Sequence, residues 1–386
     1  MTVGTDSTPS IKRIALVYDM DACRGPTGVT RHALAQLEGL ADRPEVRLSL
    51  VSGRITEPDG QTFWDLWPDL PRHLLPLRTR NMLRLWRVAP GPALEWWTGP
   101  IDWVYCPAEY FVPTRRARRA VTSHDVLQDL RLGSPRRVEH LRRTFQAADL
   151  VLSVSQFNTE RLLEAFPNCR GRVAIVPNAA EDLFFEPPTQ EERDLIRADL
   201  GLPTDQPYLL SVANFQERKN LPRLIRAAGK LPEVTSGELA IVLVGEGSDD
   251  QARPIREAIA ALGPRAVVAL PGYRQGPMLR ACYAEASALV FPSTCESFGI
   301  PAVEAMAQGC PVALADSTAL PEVAAEAGWY FDPENESAII NAIRSLLDDP
   351  AERLRRVQHG RTIASRFRWR DANERLLAAL RGERHG

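Results

Sequence analysis

The chain has 386 residues, and a prior of about 150 residues per domain gives two or three domains. Apolar residues make up 44% and charged residues 25%, which excludes wholesale disorder, a collagen-like repeat and a disulfide scaffold. With 47 basic and 49 acidic side chains the formal net charge is −2, which argues against a dedicated nucleic-acid binder.

The first ten residues are polar and lack the apolar core of a signal peptide. No uncharged apolar run approaches the ~18 residues needed to span a bilayer, so a soluble intracellular protein, or one held at a membrane surface, is expected. From there, short apolar runs alternate with amphipathic stretches. The runs are 13–19, 46–52, 102–105, 120–124, 150–155 and 173–176, with helical patterns between them at 28–40 and 136–148. Nearly continuous apolar runs rich in β-branched residues suit strands covered on both faces, as in a parallel sheet. The series therefore predicts a doubly wound α/β domain. Glu186-Pro187-Pro188 reads as a hinge, because a proline pair fits neither a helix interior nor a central strand. A second series follows at 208–212, 239–244, 267–270, 288–291 and 312–315. Two α/β domains are expected at 1–188 and 189–365, followed at 366–386 by an amphipathic helix, about Trp369 to Arg384, through Ala372, Leu376, Leu377 and Leu380.

Residues 1–180 carry 24 basic and 19 acidic side chains, and the remainder 23 and 30. Only three residues are Lys: Lys12, Lys219 and Lys230. Between Leu74 and Trp86 arginines interleave with Leu, Met and Trp. Such a stretch suits an anionic membrane surface or acceptor, and equally a surface helix with its apolar side in the core. The six cysteines form no C-x-x-C pair, so reduced thiols are expected rather than a zinc site.

In open α/β sheets ligands bind beyond the carboxyl ends of the strands, so the residues there are the candidates. Arg24-Gly-Pro-Thr-Gly28 follows the first strand and precedes a helix, whose amino-terminal N–H groups can face an anion. A bare G-x-x-G also occurs in ordinary βα turns, and it is not the G-x-G-x-x-G of dinucleotide dehydrogenases. His124-Asp125 follows the fourth strand, where an imidazole can face a ligand or simply be buried. Arg218-Lys219-Asn220 follows the first strand of the second domain, at the expected start of a helix, a place suited to a diphosphate. The most informative segment is 291–312, which reads strand, loop, helix, strand. It carries Glu296 in the loop, Ser297-Phe298-Gly299-Ile300 at the helix start and Glu304 on the helix. One turn thus offers carboxylates to sugar hydroxyls and backbone donors to phosphate.

Glu296 to Glu304 is an E-x7-E motif, and with its surroundings it resembles the retaining glycosyltransferases of family 4. The resemblance extends to Arg218-Lys219-Asn220, Val244-Gly-Glu-Gly247, Pro271-Gly-Tyr273 and Leu320-Pro-Glu-Val323. In the first half it covers Gly28, His124-Asp125, Val154-Ser-Gln-Phe157 and Val176-Pro-Asn178. It implies the GT-B fold, with two Rossmann-like domains facing across a cleft and the final helix crossing back to the first. It implies a nucleotide-sugar donor as substrate, with no cofactor and no metal. Arg218 and Lys219 would bind the diphosphate and Glu304 the ribose. Glu296 would contact the sugar's hydroxyls, and the backbone of Phe298, Gly299 and Ile300 the sugar and phosphate. Gly272, Tyr273 and Arg274 would line the base, Gly28 would approach the phosphates, and His124 would face the sugar. Relatives often have two adjacent glycines where this chain has Gly25-Pro-Thr-Gly28.

The implied reaction is front-face transfer from a nucleotide sugar, leaning to GDP-mannose, onto a saccharide or lipid-linked saccharide in cell-surface glycan synthesis. The resemblance implies that the leaving phosphate acts as base, and the nucleophile's role of two-carboxylate retention is not given to Glu296. The expected place of work is the cytoplasm or the inner membrane face. Asp249-Asp250 reads as a solvated loop. The competing readings are a sugar phosphorylase or nucleotide-sugar epimerase, and a two-lobed sugar-binding protein without turnover.

Overall fold

The structure is a computed structural model and describes residues 12–23 and 27–383. Arg24, Gly25 and Pro26 of the first glycine loop, and Arg384, lie outside the described residues. The chain forms two compact units. One runs to Asn178 and takes in the chain again from Trp369; the other is Ala179–Arg368.

Among the described residues the first unit holds seven strands: β1 (Lys12–Val17), β2 (Val46–Ser52), β3 (Arg72–Leu74), β4 (Trp103–Cys106), β5 (Arg118–Ser123), β6 (Leu150–Ser153) and β7 (Val173–Ile175). They pair in the order β3-β2-β1-β4-β5-β6-β7, all parallel. The second unit holds β8 (Tyr208–Val212), β9 (Ala240–Val244), β10 (Val268–Gly272), β11 (Ala288–Phe291), β12 (Val312–Ala315) and β13 (Gly328–Phe331). These pair as β10-β9-β8-β11-β12-β13, again all parallel. Every residue of β4, β6, β9, β11 and β12 is buried, as continuous apolar runs in a sheet covered on both faces require. In each unit the chain winds outward from an inner strand in both directions. The order therefore reverses between β1 and β4 in one unit and between β8 and β11 in the other. At such switch points the loops on the two neighbouring strands diverge and leave room for a ligand.

The division between the units falls at Asn178 and Ala179, ahead of the proline pair. Phe184 is fully buried in the second unit, its ring 6.0 Å from that of Tyr283. Gln308 Nε2 donates to the Phe184 and Glu186 carbonyls at 2.6 and 2.8 Å. Pro187 and Pro188 thus lie within the second unit. The helix Trp369–Arg381 returns to the first unit, where Leu376, Leu377 and Leu380 share a core with Leu37 and Leu40 of the helix Gly28–Ala41. Each such leucine contributes about 1.5–3 kcal/mol relative to exposure.

The arginine-rich stretch divides into β3 and a helix, Thr79–Val88. Met82 and Trp86 enter the core, while Arg80, Arg84 and Arg87 stay exposed beside Leu85 and Val88, the last at 87% exposure. All six cysteines are free and buried. Among the described residues no helix is long and apolar enough to cross a membrane.

Candidate active site

Two loops meet at the carboxyl ends of β8 and β11. The first runs from Ala213 to a single 3-10 turn, Glu217–Lys219. The helix starts only at Leu221, because Asn220 takes a left-handed conformation (φ 57°) and its side-chain amide donates to the Pro333 carbonyl at 2.8 Å. Arg218 and Lys219 therefore precede the helix start by a turn rather than sit on it. The loop is braced from behind. Phe215 N–H donates to the Glu246 carbonyl at 3.0 Å, and Gly245 (φ 143°) comes so near that a Cβ there would lie 1.9 Å from the Ala213 oxygen. That contact explains the glycine after β9.

The second loop, 292–299, brings Glu296 to the cations. Glu296 Oε1 lies 2.5 Å from Lys219 Nζ, 2.5 Å from Ser293 Oγ and 3.2 Å from Arg218 Nη1. Lys219 and Glu296 are 8% and 7% exposed. Burial raises the Glu296 carboxyl, but Lys219 and then Arg218 outweigh it and hold the group below its ordinary value. Arg218 also donates to the Cys295 carbonyl at 2.7 Å and to Gln216 Oε1 at 3.0 Å, which fixes its guanidinium. The loop is closed from the other side by Thr318 (φ 56°), whose hydroxyl accepts from Glu296 N–H at 3.0 Å. The Lys219 ammonium sits 5.1 Å from the Phe291 ring centroid.

The helix Ile300–Gln308 follows, with Gly299 (φ 104°) as its N-cap, a residue that has no side chain to offer its first amides. A Cβ at Gly299 would lie 2.6 Å from Leu320 Cδ2. Phe298 is buried with its ring 5.3 Å from Phe367, and Ile300 is 8% exposed. Glu304 has no exposed surface and accepts a 2.8 Å hydrogen bond from the Tyr283 hydroxyl. At the end of β10, Gly272 (φ 82°) receives the Gly245 N–H. Tyr273 is 37% exposed. Arg274 is turned onto Asp199 in a bidentate pair, both contacts 2.8 Å.

In the first unit His124 follows β5 and is 5% exposed. Its Nε2 donates to the Pro107 carbonyl at 2.8 Å, and its backbone N–H donates to Glu109 Oε1 at 2.7 Å. Its ring meets His32 edge-on with centroids 4.8 Å apart. His32 is fully buried and lies 2.8 Å from Asn178 Oδ1; burial pushes its imidazole well below the ordinary value. Gly28 opens the helix after β1 and is exposed, and Thr27 caps that helix through Thr30 N–H.

The structure thus brings Arg218, Lys219 and Glu296 into one largely buried cluster and leaves Glu304 on the neighbouring helix with Tyr283. It commits Arg274 to Asp199. Sequence reasoning missed Ser293, Thr318 and Gln216. Ser293 lies three residues before the first glutamate of the motif and could have been noticed there, whereas Thr318 comes from another loop. Asp249 and Asp250 form the first turn of the helix Asp249–Ala260, not a loop, and Asp250 pairs with Arg253 at 2.8 Å. Among the described residues no group of three or more His, Cys, Asp or Glu could hold a metal.

Residues 192–362 match the family model for glycosyl transferases group 1, and residues 26–182 that for glycosyltransferase family 4. The O-antigen chain mannosyltransferase B of Escherichia coli is 28% identical over 289 residues, covering 72% of this chain and 74% of that one. D-inositol 3-phosphate glycosyltransferase 1 of Catenulispora acidiphila is 31% identical over 252 residues, covering 62% of this chain and 59% of its own length, less than two thirds. Among solved structures, Anabaena HepE, determined in complex with UDP-glucose, superposes with a TM-score of 0.74 at 18% identity. The match covers 96% of this chain and all of that one.

Proposed function

Because the chain belongs to the family 4 type of glycosyltransferase, with the GT-B fold, we propose that it moves a sugar from a nucleotide-sugar donor to a saccharide or lipid-linked saccharide, with retention of anomeric configuration. The observation that carries this reading is the convergence of Arg218 and Lys219 on Glu296 at the switch point between β8 and β11. The carboxylate neutralises one buried and one partly buried cation. A diphosphate arriving there shares those cations, and they then stabilise the charge that grows on the leaving group. The sugar C1–O bond to phosphate breaks and the acceptor oxygen bonds to C1. The acceptor's proton passes to the leaving phosphate oxygen.

On this reading Glu296 contacts the sugar hydroxyls, and the N–H groups of Phe298, Gly299 and Ile300 contact sugar and phosphate. Glu304 serves the ribose, which requires the fully buried carboxylate to become accessible and the Tyr283 hydroxyl to share it. With Arg274 held by Asp199, the base rests against Gly272 and the half-exposed Tyr273. His124 and Gly28 are proposed contacts to sugar and phosphate. The fixed cations supply the electrostatic work, so transfer proceeds without a divalent metal and is unchanged by a chelator. The mannosyl activity named for the E. coli relative supports a mannose donor and the lean to GDP-mannose, whereas HepE was solved with UDP-glucose. The exposed arginines and apolar tips of the helix Thr79–Val88 support contact with an anionic membrane face, in cell-surface glycan synthesis. Liposome binding there should need anionic lipid and fall with salt.

The test is thermal stabilisation by GDP, UDP, dTDP and ADP, then by their sugars. At 100 times the dissociation constant a ligand adds about 2.7 kcal/mol. A nucleotide-specific shift that disappears in folded Lys219→Ala supports the reading. Shifts and turnover in Lys219→Ala and Glu304→Ala equal to those of wild type overturn it.

A further inference from the structure

At the amino end of the first unit's sheet, Lys12, Trp103 and Arg118 open β1, β4 and β5. With the loops carrying Glu95, Asp102, Arg115 and Arg116 they line a cavity of about 680 Å³, within the range of small-ligand sites. This is the end of a parallel sheet where the switch-point rule places no ligand. His124 follows the other end of β5, about 20 Å away for six residues of strand.

The charges here are unequal in their commitments. Asp102 is taken by Arg13, which donates its backbone N–H at 2.8 Å and its guanidinium at 3.1 Å. Glu95 Oε1 accepts the backbone N–H groups of Arg115, Arg116 and Ala117 at 2.8, 2.9 and 3.0 Å. Asp102 is therefore turned to Arg13, with the Lys12 charge also acting on it, and Glu95 is held by one oxygen, its Oε2 being buried without a hydrogen-bond partner. Among the described residues the side chains of Lys12, Arg115 and Arg116 make no ion pair. The Arg118 guanidinium lies over the Trp103 ring at 4.1 Å. The grip of Glu95 holds the loop backbone, so its arginines leave the chain from defined points without being neutralised. Four cations around one cavity, on a braced loop, are preorganised for a multiply charged anion.

We propose that this cavity is a second anion site, separate from the proposed donor site, and that it takes a phosphate-bearing ligand, either a soluble phosphate ester or a phospholipid headgroup.

The test is calorimetric titration of the full chain with inorganic pyrophosphate at about 0.15 M salt, where loosely gathered surface charge is screened. Two binding events are expected. Lys219→Ala removes one. Arg115→Gln/Arg116→Gln, which spares the backbone contacts to Glu95, weakens the other by at least about tenfold, the loss of two charge-assisted contacts. The double variant keeps wild-type unfolding and wild-type nucleotide shifts. Parallel titrations with glycerol 3-phosphate and with vesicles of equal phosphatidylglycerol and phosphatidylcholine identify the source, and dependence of either on Arg115 and Arg116 supports the site. The proposal falls if the folded double variant binds pyrophosphate, glycerol 3-phosphate and vesicles as wild type does, or if all wild-type pyrophosphate binding is lost in Lys219→Ala. Failure of the donor reading would show separately, as a Lys219→Ala variant with unchanged nucleotide shifts.

Discussion

Consider Lys219→Met, which keeps the length of the side chain and removes its charge. The ammonium lies 2.5 Å and the Arg218 guanidinium 3.2 Å from the same Glu296 oxygen. At an effective dielectric of about 20 each contact is worth roughly 5–7 kcal/mol before desolvation. Desolvation of the three groups cancels most of this, and breaking a buried pair generally costs about 3–5 kcal/mol. Here Arg218 and Ser293 remain on the carboxylate, so Lys219→Met should cost roughly 2–4 kcal/mol. Glu296→Gln should cost more, about 3–5 kcal/mol, because it removes the carboxylate that two cations share. The double variant should be more stable than the sum of the singles predicts, by about 2 kcal/mol, since it removes both members of the pair. Urea unfolding of the four proteins measures this cycle. The depressed Glu296 value sets its pH dependence. Its contribution is complete above the ordinary carboxylate value and is lost as pH falls through the lowered folded value. The Glu296→Gln deficit should therefore hold at neutral pH and shrink only below the ordinary carboxylate value. Pyrophosphate should stabilise Glu296→Gln more than wild type, because it replaces the missing anion. Additivity within about 0.5 kcal/mol, with equal pyrophosphate effects, would refute the picture of a carboxylate standing in for phosphate.

Gly245→Ala should lose about 2 kcal/mol or more and weaken nucleotide binding, since the Cβ meets the Ala213 carbonyl and displaces the loop that ends in Arg218 and Lys219; thermal shift with nucleotide reads both. Tyr283→Phe should cost about 1–3 kcal/mol in urea by removing a donor from the fully buried Glu304. Burial, with Arg87 next, lowers His140 from 6.5 to about 4, and its Nδ1 is buried without a hydrogen-bond partner. The unfolded chain thus takes up a proton that the folded one refuses, and stability falls as pH drops from 6.5 to about 4, by roughly 3 kcal/mol at most. His140→Gln should flatten that part of the curve in unfolding experiments across the window.

Eleven of the thirteen strands among the described residues announced themselves as apolar runs. β3 and β13 did not: Arg72-His-Leu74 is three residues with no apolar run, and Gly328-Trp-Tyr-Phe331 begins with a residue that weakens strands. The proline pair at 187–188 looked like a boundary because prolines punctuate local structure. What decides the boundary is Phe184 and Gln308, whose contacts are long-range. In the site, the spacing of Glu296 and Glu304 and the Arg218-Lys219 pair were readable. The turn that sets them back from the helix was not, because it rests on the Asn220 amide reaching Pro333. Arg274 shows the converse, since a residue with suitable chemistry beside the site is claimed by Asp199 from a distant helix.

The return of the helix Trp369–Arg381 bears on how the protein is made. As the chain leaves the ribosome, the strands of the first unit emerge with Leu37 and Leu40 lacking the leucines that share their core, and those leucines arrive only after the second unit has been synthesised. The first unit therefore cannot reach its final packing in order of synthesis, and the second, which is contiguous, can fold ahead of it. A fragment ending at Asn178 would carry an open apolar seam. A chimera exchanging the first unit with a relative's must take two separate pieces of gene, one for each visit of the chain.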